Sequence, residues 1–268
     1  MMIAMSSITV TGLHLYPIKG THGIAVPLAR VGDRGFVDDR RFVITDQNGK
    51  FLTQRTLPRL ALVTTELDGA TLRLRAPGMP RLELARTPKS GAPRVVEVWD
   101  DRCDGLAVEG EAAAWLSQFL ATPCELVYMP DDSRRPVDPD YAPGAQVSFA
   151  DGFPFLLASE SSLAELARRG ADVPMSRFRP NLVIAGAAPF AEDTWRAVRI
   201  GEVRFAVVKP CARCPVTTVD QETAVMPSSE PLRTLATFRR REGGVMFGQN
   251  LVHDGPGVVR VGDAVIVE

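Results

Sequence analysis

The sequence Val203-Arg204-Phe205-Ala206-Val207-Val208 runs directly into Lys209-Pro210-Cys211-Ala212-Arg213-Cys214-Pro215-Val216-Thr217-Thr218-Val219-Asp220. The first six residues are rich in β-branched and aromatic side chains, which predicts a strand. The second run places two cysteines three residues apart, with an arginine between them. Loops that leave rigid strands often carry chemistry, and a neighbouring guanidinium favours the nucleophilic, metal-binding thiolate. This loop is therefore the first candidate for a functional site.

The spacing of the cysteine pair leaves four interpretations open. A thioredoxin-like dithiol normally opens a helix within a βαβ unit, whereas β-branched residues follow here. A zinc site needs further ligands, but Cys103 and Cys124 stand far apart in the sequence and the three histidines are isolated. Two buried thiols are the purely structural interpretation, since free cysteines are commonly buried. The fourth is a single thiolate bound to a metal whose other ligands come from a cofactor.

Composition narrows the class of protein. The chain has 268 residues, 45% hydrophobic and 24% charged, as in an ordinary globular protein. Its formal net charge of −1 argues against a nucleic-acid binder, which would carry a basic excess. No apolar run reaches the roughly 18 residues of a membrane helix, and residues Met1–Ser7 lack the pattern of a signal peptide. We therefore expect a cytoplasmic protein with reduced thiols and no membrane partner.

Most of the first half is patterned as strands and tight turns. Phe42–Thr45 and Lys50–Thr53 flank Asn48-Gly49, which predicts a hairpin because this dipeptide tolerates positive φ. Leu60–Leu67 and Thr71–Arg75 flank a second turn and predict another pair of strands.

A proline-rich and weakly apolar stretch from residue 131 to 144 separates the two halves. Short helices are expected over Glu111–Leu120 before it and between Ser159 and Gly170 after it. Beyond Asn181 the pattern returns to strands joined by short turns. Many strands with few helices predict an α+β, mostly β protein built from barrels or sandwiches.

Several cations and one amide stand in turns or at strand ends. Lys19 lies in a turn, Arg40 directly precedes a strand, Arg179 and Asn181 bracket a proline, and Arg213 separates the cysteines. Arginine forms bidentate bonds to phosphate, and lysine offers a point charge. Each residue taken alone is more simply a solvated or salt-bridged surface residue, because most charged residues are exposed. Taken together, these residues favour the alternative hypothesis that they form an anion-binding site.

Four segments of the second half resemble the MOSC domain, the C-terminal domain of molybdenum-cofactor sulfurases. They are Lys209–Asp220, Phe178-Arg179-Pro180-Asn181, Glu192-Asp193-Thr194-Trp195 and Phe247-Gly248-Gln249-Asn250. Three segments of the first half resemble the β-barrel domain that precedes a MOSC domain. They are Tyr16–Gly20, Asp39–Phe42 and Arg55–Leu60. The resemblance covers nearly the whole chain in order, and it is closest to the amidoxime-reducing components, which reduce N-hydroxylated compounds.

This resemblance implies an N-terminal β-barrel-like domain over residues 1–130. A MOSC β-barrel domain with a few short helices would then follow over residues 131–268. It also implies a molybdenum cofactor, a molybdopterin whose molybdenum is held by one cysteine thiolate of the protein. The implied activity is that of a molybdenum-dependent oxidoreductase acting on hydroxylamines and amidoximes.

By the same resemblance, Cys214 is the molybdenum ligand and the catalytic residue, and Cys211 is its neighbour in the loop. The residues implied to bind the cofactor are Lys19, Arg40, Arg179, Asn181, Ala212 and Arg213. The chemistry agrees, since thiolates suit soft redox metals and cations suit phosphate. Gly20 and Ala212 stand where relatives often have serine, so backbone N–H groups would replace two hydroxyl contacts.

The resemblance implies two partners: a small N-hydroxylated substrate, and a separate electron-donor protein of the ferredoxin-like or flavoprotein reductase type. No cysteine pattern for an iron–sulfur cluster follows the MOSC-like region, which is why a separate donor is expected. Two other functions remain open. One is a carrier that holds a persulfide on Cys211 or Cys214, and the other is a module that stores or delivers the cofactor. Catalytic turnover distinguishes the enzyme from both.

Overall fold

The structure, a computed structural model, describes residues 7–268. The expectation about a signal peptide rests on residues 1–7, and residues 1–6 lie outside the described residues. Within the described part, the strands are β1 (Thr9–Leu15), β2 (Ile24–Val26), β3 (Leu28–Gly32), β4 (Gly35–Phe36), β5 (Phe42–Thr45), β6 (Thr64–Asp68), β7 (Thr71–Arg75), β8 (Leu82–Ala85), β9 (Pro93–Val98), β10 (Asp101–Ala107), β11 (Glu125–Tyr128), β12 (Phe155–Ser159), β13 (Leu182–Ala185), β14 (Ala197–Ile200), β15 (Val203–Ala212), β16 (Arg240–Arg241), β17 (Gly244–His253), β18 (Gly257–Arg260) and β19 (Val265–Val267).

Helices are few and short. The α-helices of residues 7–268 are α1 (Ala112–Leu120), α2 (Glu160–Arg168) and α3 (Leu232–Phe238). Single 3-10 turns cover Pro58–Leu62, Met175–Phe178, Ala191–Thr194 and Pro215–Thr218. The predicted α+β, mostly β class is confirmed, and so are α1 and α2. None of the helices of residues 7–268 is both long and apolar enough to cross a membrane.

The largest sheet has the strand order β19-β14-β15-β17-β12-β13-β1-β2, with β16 paired to β17. Its neighbours are antiparallel except β12 and β13, which run parallel. One core forms on this sheet around the edge-to-face ring pairs of Phe155 with Phe36 and Phe205, whose centroids lie 4.9 and 5.1 Å apart. This arrangement makes β15 and β17 a rigid support for the cysteine loop.

A second core lies within the first half of the chain. Helix α1 buries Leu116 and Phe119 against the sheets β5-β11-β10-β9 and β6-β7-β8. Apolar residues at helical spacing account for this burial, since positions three and four apart share one face.

The two halves share strands. Strand β1 pairs with β13 of the second half, and β3 pairs with β18 near the end of the chain. The first strands therefore belong to the same sheets as the last ones, and the turns that carry Lys19 and Arg40 lie against the second half. The division between residues 130 and 131 stays a prediction.

The predicted Phe42–Thr45 hairpin is only partly formed. The Asn48-Gly49 turn is present, because Asp46 Oδ1 accepts hydrogen bonds from the amides of Asn48 and Lys50 at 2.8 and 3.0 Å. Beyond the turn only the Thr45–Phe51 bridge forms, and β5 pairs instead with β11. The turn was thus predicted correctly. The pairing was not, because β5 pairs with β11, which is distant in the sequence.

Gly248 in β17 provides a test of the close packing between β17 and β12. Its φ is +77°, and a Cβ at this position would lie 2.6 Å from the carbonyl oxygen of Leu157. We expect Gly248→Ala to lower the free energy of unfolding by roughly 2 kcal/mol or more, because it adds a clash to a strained backbone. Chemical denaturation measures this. Gly255→Ala, with open space around the added carbon, is the control and should stay within about 0.5 kcal/mol of the parent. Equal effects of both changes would contradict the packing described.

Candidate functional site

One cleft at the junction of the two halves is lined by every predicted site residue except Ala212. The free space in the cleft is about 860 Å³ when the part open to solvent is counted. Ala212 is exposed at the end of β15, where it pairs with Met246. The cleft therefore unites residues from distant turns around the cysteine loop.

An irregularity in the pairing of β15 with β17 gives the cysteine loop its shape. The register shifts between Pro210 and Ala212, whose partners are Gln249 and Met246, so that β17 carries one extra residue opposite Cys211. Such bulges redirect side chains. The carbonyl oxygen of Cys214 accepts hydrogen bonds from the backbone N–H and the Oγ1 of Thr217, both at 3.0 Å. The loop is thus held by its own backbone, and both thiols line the cleft.

Arg213 ties the cysteine loop to the neighbouring turn. Its Nη1 donates to Cys211 Sγ at 2.8 Å, and its Nη2 donates to the carbonyl oxygen of Phe178 at 2.8 Å. A cation this close stabilises negative charge on the sulfur of Cys211. The Nε of Arg213 is buried and has no hydrogen-bond partner among the described residues. One donor of this guanidinium is therefore left for a ligand.

Arg40 is held by both halves of the chain. Its Nη1 donates to Asp39 Oδ2 at 2.5 Å and to Asn181 Oδ1 at 2.9 Å. The Asn181 oxygen also accepts from the Leu156 N–H at 3.3 Å, and its Nδ2 donates to the His14 carbonyl at 3.2 Å. Because Asn181 is 1% exposed and already bonded through both amide atoms, its geometry serves to orient Arg40.

Tyr16 contacts two of the predicted cations. The guanidinium carbons of Arg40 and Arg179 lie 4.1 and 4.3 Å from the centroid of its ring. Its hydroxyl donates to the Pro180 carbonyl at 3.0 Å. Burial raises the pKa of Tyr16 to about 12, although both cations act to lower it. Burial lowers the pKa of Arg179 to about 10, so this side chain, which donates to Gln221 Oε1 at 3.2 Å, stays charged at neutral pH.

Lys19 forms an ion pair with Asp151 at the mouth of the cleft. Its Nζ lies 2.5 Å from Asp151 Oδ1, which also accepts a hydrogen bond from Trp99 Nε1 at 3.1 Å. Burial acts to raise the pKa of Asp151, but the charge of Lys19 and these two donors outweigh it and hold that pKa well below its usual range. Asp151 is therefore a carboxylate at neutral pH. Burial lowers the pKa of Lys19, and the attraction of Asp151 opposes that effect.

The charges that line the cleft are unbalanced. Among the described residues that line the cleft, five cationic side chains face one carboxylate, that of Asp151. Partly buried cations in excess favour an anionic ligand, and arginine matches the geometry of phosphate. The thiol of Cys214 offers a soft donor for a redox metal. The residues present therefore fit a ligand that combines a phosphate with a soft metal. Within residues 7–268, no group of three or more His, Cys, Asp or Glu side chains is placed to hold a metal ion.

Backbone strain concentrates at the cleft. Arg40, Trp99 and Arg179 have φ values of +47°, +57° and +55°. The left-handed region costs roughly 1–2 kcal/mol for a residue that has a Cβ. Such strain persists where the surrounding structure imposes it, often at functional sites. Here it fixes the direction of three side chains that line one cleft.

Arg55, Trp99 and Asp151 also line the cleft, and they were not among the predicted site residues. Two of them have weak signals in the sequence. Asp151 stands between an apolar run and a glycine, and Trp99 ends a strand-like run just before two aspartates. The hydrogen bond between Trp99 and Asp151 joins residues 52 positions apart, so sequence spacing alone could not predict it.

The chain matches two known domain families. Residues 7–123 match the MOSC N-terminal beta barrel domain, and residues 144–266 match the MOSC domain. The fold is thus that of a MOSC-domain protein.

The chain is 36% identical over 282 residues to human mitochondrial amidoxime-reducing component 1, which covers 96% of this chain and 82% of the relative. It is 29% identical to a molybdenum cofactor sulfurase of Oryza sativa, over 91% of this chain and 32% of that longer protein. The crystal structure of the YUAD protein from Bacillus subtilis aligns with a TM-score of 0.43 and 11% identity, over 97% of this chain and 94% of that one. The chain belongs to the MOSC family that includes the mitochondrial amidoxime-reducing components, and its function is associated with the molybdenum cofactor.

The raised pKa of Tyr16 predicts a pH-dependent stability. The buried phenol stays protonated up to a pKa of about 12, whereas an unfolded tyrosine ionises near 10. Its contribution is therefore complete below pH 10 and is lost as the pH rises toward 12. Between pH 9 and pH 11 we expect the stability difference between wild type and Tyr16→Phe to shrink by roughly 1 kcal/mol. Urea unfolding of both proteins at several pH values measures this, and a constant difference would contradict the burial of the phenol.

Proposed function

We propose that this protein is a molybdenum-cofactor-dependent reductase of N-hydroxylated compounds and that the Cys214 thiolate binds the molybdenum. The observation that carries this proposal is the cleft, in which Cys214 lies together with cations drawn from both halves of the chain. The names of the relatives support the substrate class, since amidoximes are N-hydroxylated compounds.

The cations of the cleft would hold the cofactor through its phosphate. Arg179, Arg40 and Lys19 come from separate turns, and each offers a charge-assisted donor. Arg213 would contribute its unpaired Nε beside the cysteine loop. Asn181 contributes by orienting Arg40, to which it is hydrogen-bonded. Ala212 lies outside the cleft lining, so any contact from it would come from the backbone.

The cofactor, when bound, supplies the electron transfer, and this chain's residues position the substrate. Reduction of N–OH to N–H consumes two electrons and two protons and releases water. Asp151, ionised at neutral pH, is suited to accept a hydrogen bond from the N–OH group and orient it. The electrons would come from a separate donor protein, as the family resemblance implies.

A second function is favoured by one specific contact. Arg213 Nη1 lies 2.8 Å from Cys211 Sγ, which would stabilise the negative charge of a persulfide on Cys211. In that case the protein would carry sulfur or cofactor for another protein and would show no reductase turnover. The two functions therefore differ in the cysteine that each requires: Cys214 for the reductase and Cys211 for the carrier.

Arg179 tests the proposed phosphate contacts. We expect Arg179→Gln to weaken cofactor binding roughly 10- to 100-fold, because it removes a charge-assisted bond of about 1.5–3 kcal/mol. Glutamine keeps the bulk of the side chain and the same backbone position. Arg40 is less suitable, since its loss would strand the buried Asp39 without its cation.

The measurement is molybdenum and pterin content of protein produced in a cofactor-competent host. Arg75→Gln, which alters an exposed strand arginine outside the cleft, is the control and should retain full content. Full cofactor content in Arg179→Gln would overturn the assignment of Arg179 to the phosphate.

The two cysteine substitutions test the reductase directly. We expect Cys214→Ser to abolish reduction of an N-hydroxylated substrate coupled to oxidation of a reduced dye, because an alcohol is a poor ligand for a soft metal. Pterin content should fall less than activity, since the phosphate contacts remain. Cys211→Ser should be milder. Greater loss in Cys211→Ser would overturn the assignment of Cys214, and equal loss in both would favour a dithiol oxidoreductase. No turnover in the cofactor-loaded wild type would favour the persulfide carrier.

A further inference from the structure

The mouth of the cleft carries an exposed indole whose position is fixed on several sides. Trp99 lies at the tip of the β9–β10 hairpin, next to the Val98–Asp101 pair. Its backbone is left-handed, and its Nε1 donates to Asp151 Oδ1 at 3.1 Å. Its ring meets Phe51 edge-to-face, with the centroids 4.8 Å apart. The side chain is nevertheless 42% exposed, so part of its surface is open to a ligand.

Arg55 stands beside this indole. Its guanidinium carbon lies 4.3 Å from the centroid of the Trp99 ring. No ion pair within residues 7–268 involves Arg55, although it lies on the surface. Among residues 7–268, the contact recorded for this guanidinium is the one with the Trp99 ring, and its charge is otherwise open to solvent.

Hydrogen bonds of the neighbouring Gln54 fix the turn that carries Arg55. The buried Gln54 donates to the Gly20 carbonyl at 2.7 Å and exchanges hydrogen bonds of 3.1 and 2.9 Å with Gln221. Gln221 in turn accepts from Arg179. Arg55 is thus held at a set position relative to the turns that carry Lys19 and Arg179.

We propose that Trp99 and Arg55 form a recognition platform for the part of the substrate remote from the N–OH group, favouring flat aromatic compounds that bear a carboxylate. This inference rests on the proposed function and narrows its substrate class. The exposed part of the indole, beside the contacts with Arg55 and Phe51, offers apolar surface to a planar ring. The unpaired guanidinium offers a bidentate partner to a carboxylate at the edge of that ring. Asp151, hydrogen-bonded to the same indole, lies on the side where the N–OH group would be oriented.

Three amidoximes separate the contributions of the two residues. They are acetamidoxime, benzamidoxime and 4-carboxybenzamidoxime, and kcat/KM is measured for each with the cofactor-loaded enzyme. The wild type should prefer benzamidoxime to acetamidoxime and should prefer the carboxylated compound most, each step by roughly tenfold. Trp99→Gly should abolish the first preference, and Arg55→Gln should abolish the second while leaving the first. The change should appear mainly in KM, because these contacts lie away from the reacting bond.

Two matched controls keep the interpretation specific. Asp100→Gly alters the same hairpin turn without removing the indole, and Arg102→Gln removes an arginine that pairs with Glu97 on the same hairpin. Both should keep the wild-type preferences. Glycine suits the left-handed position of Trp99, so Trp99→Gly should fold as well as its parent by circular dichroism. Unchanged substrate ratios in Trp99→Gly and Arg55→Gln would overturn the platform.

Binding of a compound without an N–O bond separates this inference from the proposed function. Calorimetry with 4-carboxybenzamide should detect binding to the wild type that both platform substitutions weaken by tenfold or more. If the wild type reduces no amidoxime yet binds this amide in a Trp99- and Arg55-dependent way, the platform stands and the reductase proposal fails. If it reduces amidoximes but the two substitutions leave amide binding unchanged, the platform is wrong and the reductase stands.

Discussion

The hydrogen bond from Arg40 to Asn181 joins two turns that lie 141 residues apart in the chain. The placement of Arg40 against the second half of the chain depends on this junction. Asp39 holds the arginine from one side, and Asn181 is itself bonded to the strands around it. Because the donors and acceptors are buried, losing either partner would leave a polar group unsatisfied. The junction therefore keeps the cations of the first half close to the cysteine loop of the second.

The same junction explains how so much positive charge is tolerated in one place. Arg40 and Lys19 each have one carboxylate partner, and Arg40 and Arg179 also rest against the ring of Tyr16. These contacts offset part of the repulsion and desolvation without neutralising the cleft. An anionic ligand would complete the charge balance, so binding of the ligand would also stabilise the cleft.

Sequence could predict the local features of this protein and not its long-range contacts. The strand before the cysteine loop follows from its β-branched residues, and α1 follows from its apolar spacing. The site residues were assembled through the family resemblance, because nothing in their spacing connects Lys19 with Cys214. The partner of β5 and the contact of Trp99 with Asp151 depend on chain segments far apart in sequence. Tertiary packing decides such pairs, and local propensity carries no record of it.

The central claim is that the sulfur of Cys214 binds molybdenum within a cleft whose cations hold the rest of the cofactor. X-ray absorption at the molybdenum edge, on the cofactor-loaded wild type and the two cysteine-to-serine variants, counts the sulfur ligands directly. If Cys214 binds the metal, Cys214→Ser should show one sulfur fewer and Cys211→Ser an unchanged count. An unchanged count in Cys214→Ser, or the loss of a sulfur in Cys211→Ser, would contradict it.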